Sequence, residues 1–417
     1  MLDHHQQVPE DFAARLQNLF SHSRLVINRE ITKLKRSIAI VRIRARRSAI
    51  ANGVHKRSLA RYFKSQRKVE RAMRMFKKYL LLSGVLFFWS TSTLGGEADE
   101  IVTDHVVTRI AFGSCNSQDK PQPLWASIQQ ENPDLWIWTG DNVYADTEDP
   151  EVFRDTYERQ LANADYAKFV NSIPFLTGIW DDHDYGVNDG GAEYPQKHLA
   201  KQEMYRFLNV PKNDPSRFRA GAYRSYDYGP PEKRVRVILL DTRWFRDSLE
   251  RTQGRESTYI ANLDGTILGA DQWRWLEQQL SDPEPDVTVL VSSIQVVASE
   301  HRFEKWANFP NQQSRLYSFL AKTKPSNLFV ISGDRHAAEI SEQQIAGWGK
   351  TLVDITSSGL TNTWSREFPE VNSRAIGPKV IAKNYGLIQI DWTNAEQPLV
   401  TVSIRGVDKK EYQTISF

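Results

Sequence analysis

Four apolar runs in this chain stop at short loops crowded with metal-binding and proton-carrying side chains. They are "RIAFGSCN", "LWIWTGDNVYAD", "FLTGIWDDHD" and "LFVISGDRH". Short runs rich in β-branched and aromatic residues, bounded by Gly, Asn and Asp, read as buried strands. Stretches with helical apolar spacing lie between them, such as "PEVFRDTYERQLANADYAKFV", with Pro150 near its start, and "GADQWRWLEQQL", with Asp271 placed as N-cap. Later, "TLVDITSS", "YGLIQIDW" and "PLVTVSIRG" follow one another as strands that pair directly. The expectation is an α/β layered domain with mixed β-sheets over residues 100–417. The Pro/Gly-rich piece at 209–231 reads as an excursion loop inside it. In α/β proteins ligands gather at the carboxyl ends of strands, so the four polar loops are expected on one edge.

The front of the chain is a different physical object. Residues 1–78 carry 20 Lys+Arg against 5 Asp+Glu, and the remainder carries 34 against 46. The net charge is +15 before residue 79 and −12 after it. A basic flank, an apolar stretch from Tyr79 and the small or polar "STSTLGGEA" give residues 73–99 the order of a signal peptide or signal anchor. The apolar part with its Ser/Thr tail, 79–94, is shorter than the roughly 20 residues of a spanning helix, though it can serve as a membrane anchor. Residues 1–72 are then a basic N-terminal extension. Either the functional start is Met73 or Met75, or the extension is the cytoplasmic tail of an anchor; a nucleic-acid arm fits a segment beside an apolar stretch less well. The expected localisation of 100–417 is extracytoplasmic. One cysteine, Cys115, excludes an internal disulfide.

Single residues are ambiguous. Cys115 alone reads as a buried structural thiol; among other strand-end groups it reads as a metal thiolate. Asp141 is a turn residue or a carboxylate whose two oxygens bridge two cations. Tyr144 packs, or turns its phenol into the same site; Asp146 is a ligand, a hydrogen-bond acceptor or a surface turn. Asp181, Asp182, His183 and Asp184 follow an apolar strand, where clustered carboxylates repel unless a cation compensates them. His183 suits proton donation or phosphate binding. Asp334 and His336 lie two apart, so an extended backbone would turn both to one side and Arg335 away, into a salt bridge. His301 is a ligand, a substrate contact or a loop residue. Arg243 holds a phosphate or pairs with Asp241.

The motifs "FGSCN", "GDNVYAD", "WDDHDYGVNDGG", "LLDTR", "LGADQWRWLEQQL", "SSIQV", "SGDRHAAEI" and "TSSGLTN" occur in that order. Together they resemble those of the PhoD-type alkaline phosphatases/phosphodiesterases, within the calcineurin-like metallophosphoesterase superfamily. The resemblance implies a four-layer α/β/β/α sandwich with a dinuclear site of Fe3+ and a divalent ion, Ca2+ foremost. Carried over, Cys115, Asp141, Tyr144 and His336 hold iron, Asp141 bridges, and Asp182 and Asp334 hold the divalent ion. His183, assisted by Asp184, is the catalytic proton donor; Arg243 and His301 are candidate substrate contacts. "Trp-Asp-Asp-His-Asp" replaces the superfamily's Gly-Asn-His-Asp/Glu, so Asp182 takes the asparagine position. "SSIQV" stands where a histidine-bearing motif is usual and leaves that ligand open. The implied reaction is hydrolysis of phosphate mono- and/or diesters by a metal-activated hydroxide. The implied substrate is a small phosphate ester or a phospholipid. The net of −12 after residue 78 disfavours nucleic acid. An inactive, metal-stabilised binding ectodomain and a phospholipase-type phosphodiesterase are the alternatives.

Overall fold

The apolar runs fold as strands, and each polar loop sits at a carboxyl end. The structure, a computed structural model, describes residues 101–417 apart from 255–257, 282–284, 368–369 and 395–396. The expected extension over 1–72, the signal segment over 73–99 and the anchoring stretch 79–94 lie outside the described residues. Among the described residues no helix is long and apolar enough to cross a membrane.

In chain order come β1 (Ile101–Thr103), β2 (Arg109–Gly113), α1 (Trp125–Gln129), β3 (Leu135–Thr139), α2 (Pro150–Leu161), α3 (Ala164–Val170) and β4 (Phe175–Ile179). The single turn α4 (Asp182–Tyr185), α5 (Lys197–Phe207), β5 (Arg224–Tyr228), β6 (Val235–Leu239), α6 (Gly269–Gln279) and β7 (Val287–Ser292) follow. Then come α7 (Pro310–Thr323), β8 (Leu328–Ser332), β9 (Ala338–Gln344), β10 (Thr351–Ser357), β11 (Ala375–Val380), β12 (Tyr385–Asp391), β13 (Leu399–Arg405) and β14 (Glu411–Ser416). One sheet has the order β1-β5-β6-β7-β8-β10-β9-β11, the other β14-β13-β12-β2-β3-β4. Strands β2, β3 and β4 are parallel, as are β6, β7, β8 and β10; the flanking β12, β13, β9 and β11 pair antiparallel.

The alternation of apolar residues sets the layers. Val235, Val237 and Leu239 of β6 and Val287, Val289 and Val291 of β7 share one apolar cluster with the six-stranded sheet. Ile238 and Leu290, on the opposite face, pack with Trp273 and Leu276 of α6 and Leu316 and Leu320 of α7. On the far side of the six-stranded sheet, Trp136 and Trp138 meet Trp125 of α1. The result is the expected four-layer α/β/β/α sandwich, whose central strands are covered on both faces.

Two local expectations change. The stretch after Pro150 is two helices, because Asn163 accepts the Tyr166 N–H at 3.0 Å and starts α3 afresh. Asp271 lies inside the first turn of α6 and is not its cap; the Thr266 hydroxyl accepts the Gly269 N–H at 2.9 Å instead.

Register then fixes the site. Gly113 pairs with Trp138 and Thr139 with Ile179, while Ser292 pairs with Ser332 and Ser332 with Thr356. The parallel strands of each sheet therefore end almost level. The two edges touch at Gly333, where an added Cβ would lie 2.6 Å from Ser114 Oγ and 2.7 Å from the Thr139 carbonyl. Only glycine allows that approach.

Trp125 is T-shaped on Trp136 with centroids 5.3 Å apart and stacks on Phe169 at 5.4 Å. Trp125→Ala should cost about 3–5 kcal/mol, the usual range for a buried tryptophan. A denaturant titration reads this as a lowered midpoint, and an unchanged midpoint would show that the outer helical layer is not part of the cooperative core.

Candidate metal centre

Cys115 follows β2, Asp141 follows β3, Asp181 and Asp182 follow β4, and Asp334 and His336 follow β8. Four of these residues have left-handed backbone: Cys115 (φ 58°), Asp141 (47°), Asp334 (69°) and His336 (53°). For a residue with a Cβ this costs roughly 1–3 kcal/mol and persists where the surroundings over-determine it. It also corrects the extended-strand reading of Asp334 and His336. The two side chains join different groups, Asp334 with Asp181 and Asp182, His336 with Cys115 and Asp141. Arg335 does form a salt bridge, with Glu370 at 2.7 Å, but it does not turn away: it lines the same cavity as Asp334 and His336, 4.4 Å from the Phe303 ring centroid.

Three groups overlap here. Cys115–Asp141–His336, Asp141–Asp182–His183 and Asp181–Asp182–Asp334 each bring their ligand atoms within 4.8 Å of one another. Asp141 belongs to the first two and Asp182 to the last two. Asp141 Oδ2 accepts from Cys115 Sγ at 3.3 Å and from the Tyr144 hydroxyl at 3.2 Å. The same hydroxyl lies 2.9 Å from His336 Nε2. All six expected ligands, Cys115, Asp141, Tyr144, Asp182, Asp334 and His336, thus converge.

The electrostatics ask for cations. Among the described residues, Asp141, Asp182 and Asp334 have no Arg or Lys at ion-pair distance; Asp141 and Asp182 are buried and Asp334 half-buried. Burial, then Cys115 and Asp182, push the Asp141 carboxyl well above its usual range; burial, then Asp181 and Asp182, do so for Asp334. Burial opposes ionisation of Asp182 too, but Arg243 and His183 hold it down to about 2. Burial pushes the Cys115 thiol up to about 12. Burial, His183 and Arg335 keep His336 neutral, at about 4. Asp181 Oδ2 is buried with no hydrogen-bond partner. Thiol, phenol, neutral imidazole and clustered carboxylates are a donor set that fits metal ions, whose charge would hold the acids deprotonated.

Other candidates are placed differently. The Arg243 guanidinium is fully buried between Asp181 (Nε to Oδ1, 2.7 Å) and Glu304 (2.6 Å). It holds neither a substrate nor the Asp241 side chain, which instead accepts the Arg243 backbone N–H at 2.9 Å. His301 is 3% exposed, and neither ring nitrogen has a partner. Asp184 does not assist His183. It is the third residue of a one-turn helix and reaches back to the Asp181 N–H at 2.7 Å. His183 Nδ1 instead meets Asp146 at 2.7 Å. Burial works to lower the His183 pKa, but Asp141, Asp146 and Asp182 raise it to about 10.

A cavity of about 220 Å³ opens onto Asp141, Asp182, His183, Asp334 and His336. Asn188, Asp189 and Arg335 line it as well, with Arg251, Phe303 and Trp364. Sequence reasoning missed the last three. It also missed Ser358, which lies 3.0 Å from Cys115 Sγ and accepts the His336 N–H at 2.8 Å. Ser358 stands inside the quoted "TSSGLTN", which was the available signal. In "SSIQV", Ser293 donates to Asp181 Oδ1 at 2.6 Å, and Gln295 binds Glu339 and Thr356.

The family model for PhoD-like phosphatases matches residues 110–383. The chain belongs to the PhoD-like phosphatase family, a family of hydrolases. It is 23% identical over 304 residues to alkaline phosphatase D of Bacillus subtilis (strain 168), across 60% of this chain and 51% of that protein. It thus spans about half the length of this curated relative. Among solved structures, PhoD superposes with a TM-score of 0.59 at 16% identity, covering 76% of this chain and 69% of PhoD. A purple acid phosphatase from yellow lupin (Lupinus luteus) superposes with a TM-score of 0.50 at 13% identity, covering 74% and 53%. These likenesses bear out the fold.

Carboxylates with raised folded-state pKa bind protons more tightly when folded, so they favour the fold at low pH and weaken it as pH rises through the folded value. For Asp181 the window runs from the ordinary 3.8 to about 7, where burial outweighs Arg243. Chelated protein should therefore melt at a higher temperature near pH 5 than near pH 8. Metal loading at pH 7 should release protons, read by calorimetry in buffers of different ionisation enthalpy. Equal melting at both pH values and no proton release would refute the buried like-charge account.

Proposed function

We propose that this domain hydrolyses phosphate mono- and/or diesters at a dinuclear metal centre in an extracytoplasmic compartment. The observation that carries the reading is Asp141, a buried carboxylate common to two groups of metal-ligating side chains. Cys115, Tyr144, His336 and Asp141 would hold Fe3+; Asp182, Asp334 and the shared Asp141 would hold a divalent ion. The hard, all-oxygen second set suits Ca2+, and the thiolate–phenolate–imidazole set suits iron. When bound, such a pair neutralises phosphoryl oxygens and acidifies water.

The chain's own residues do the rest. Arg243, locked between Asp181 and Glu304, fixes the loop that carries Asp182. Asp182 Oδ2 accepts the Asp189 N–H at 2.7 Å, and Asp189 lines the cavity. His183 lines that cavity, with Asp146 on its far nitrogen and its ring 4.1 Å from that of Tyr144. Protonated there, it donates to the leaving alcohol oxygen. Phe303 and Trp364, with the Arg335 guanidinium 4.4 Å and 5.5 Å from their ring centroids, form a wall that suits an ester carrying an organic group. The hydrophobic segment at 73–99 would deliver the domain across a membrane, which fractionation of native cells with N-terminal sequencing checks.

Cys115→Ala, Asp182→Asn and Asp334→Ala should each lose bound metal by elemental analysis. Each should lower turnover of chromogenic mono- and diesters about a hundredfold or more, equivalent to about 2.7 kcal/mol of barrier. Normal metal content and turnover in any one of them removes that ligand; no turnover in the metal-replete protein favours a binding ectodomain.

His183→Asn should keep its metals and lose about 10²–10⁴ in turnover of an alkyl ester, the range for general acid catalysis. The loss should be smaller for a p-nitrophenyl ester, whose leaving group needs no proton. Equal losses on both esters would assign His183 to phosphate binding.

A further inference from the structure

A second pocket, of about 290 Å³, shares no lining residue with the metal cavity. His198, Lys201, Gln202 and Tyr205 of α5 form one wall, at the spacing of a single helical face. The segment Arg217–Ala220 forms the other. No acidic residue lines it. Three cations crowd the Tyr205 ring: Arg224 at 4.6 Å, Arg217 at 5.2 Å and Lys201 at 5.3 Å from its centroid. Among the described residues, no carboxylate forms an ion pair with Lys201, Arg217, Arg219 or Arg224. Their donors meet backbone carbonyls: Lys201 Nζ reaches Ser216 O at 2.6 Å and Arg219 O at 2.7 Å, and Arg217 Nε reaches Pro211 O at 2.7 Å. Nε and Nη1 of Arg224 are buried without any partner, as is Nε of Arg219. Lys201 is 6% exposed, and burial brings its ammonium down to about 8. Concentrated, poorly solvated positive charge beside an open pocket is the converse of the metal centre: it lacks an anion.

We propose that this pocket is an accessory anion site that takes a phosphate group, either free inorganic phosphate or an anionic lipid headgroup. A phosphate offers several acceptor oxygens, arranged tetrahedrally, to Lys201, Arg217 and Arg219 together. Phe218, 79% exposed on the same wall, marks the rim where a lipid-borne phosphate would carry its apolar part.

The test uses full-chain, metal-loaded protein. Equilibrium dialysis with radiolabelled inorganic phosphate should reveal binding that Asp334→Asn leaves intact. Lys201→Met and Arg217→Gln should each weaken that binding about tenfold, as loss of one charge-assisted contact does. Arg217 is only half-buried, so its variant guards against misfolding of the Lys201 variant. In a second arm, vesicles of phosphatidylcholine with and without phosphatidic acid are sedimented with the protein. Binding that needs phosphatidic acid and falls in Arg217→Gln and Phe218→Ser, without binding of free phosphate, assigns the lipid source. Binding that ignores both basic-pocket changes, or none in either arm with phosphate on the order of 10 mM, overturns the proposal. Turnover is read in parallel, so failure of the hydrolytic reading is seen separately.

Discussion

Buried like charge is the constraint on which this structure depends. Asp141, Asp181, Asp182 and Asp334 converge where two sheets end, and among the described residues only Asp181 has a guanidinium at ion-pair distance. An unpaired buried carboxylate costs several kcal/mol or takes a proton. Burial and like charge thus favour the protonated forms of Asp141, Asp181 and Asp334, while Arg243 and His183 keep Asp182 ionised. The fold tolerates this arrangement because the cost is local, while the core between and outside the sheets is continuous and apolar.

A buried chain of charges is an internal counterweight. Asp181 pairs with Arg243, Arg243 with Glu304 at 2.6 Å, and Glu304 with Arg246 at 3.0 Å. All four side chains are fully buried, so each depends on its neighbour, and removal of one strands the next. The chain ties the loop after β4 in one sheet to the loop after β6 in the other. It positions Asp182, the next residue along, without touching the cavity. Left-handed backbone at Cys115, Asp141, Asp334 and His336 is a second cost accepted at the same edge. Strain and repulsion together mark the site more firmly than any single motif.

What was legible in the sequence was local. Apolar alternation and strand-end polar loops need only neighbouring residues, and they point to a layered α/β domain with mixed sheets and polar groups along one edge, while the four layers and the set of six ligands are what the resemblance of the motifs implies. What was not legible depends on long-range pairing. His183 meets Asp146, 37 residues away, while the adjacent Asp184 turns back to its own helix. Arg243 finds Asp181 and Glu304, each more than sixty positions distant, in place of the nearby Asp241. Asp334 and His336 divide between two groups because left-handed φ cancels the period of two on which the extended reading relied. Two polar residues side by side in sequence are a weak guide to which of them faces a site.

Net charge misleads for the same reason. The −12 carried after residue 78 describes a sum, and the domain holds two opposite local fields within it. One edge gathers acids that want cations. The face of α5 gathers Lys201 with Arg217 and Arg219, and Arg224 lies behind on the Tyr205 ring; these arginines are spread over eight positions of an excursion loop and the strand after it. In sequence these arginines alternate with Phe218, Ala220 and Tyr223 and look like ordinary surface. Folded, Arg217 and Arg224 lie over the Tyr205 ring and Arg219 over that of Tyr223, and among the described residues none forms an ion pair with a carboxylate. Each field is legible as a binding site only once charge is counted by pocket and not by chain, because desolvation and pairing act over a few ångströms.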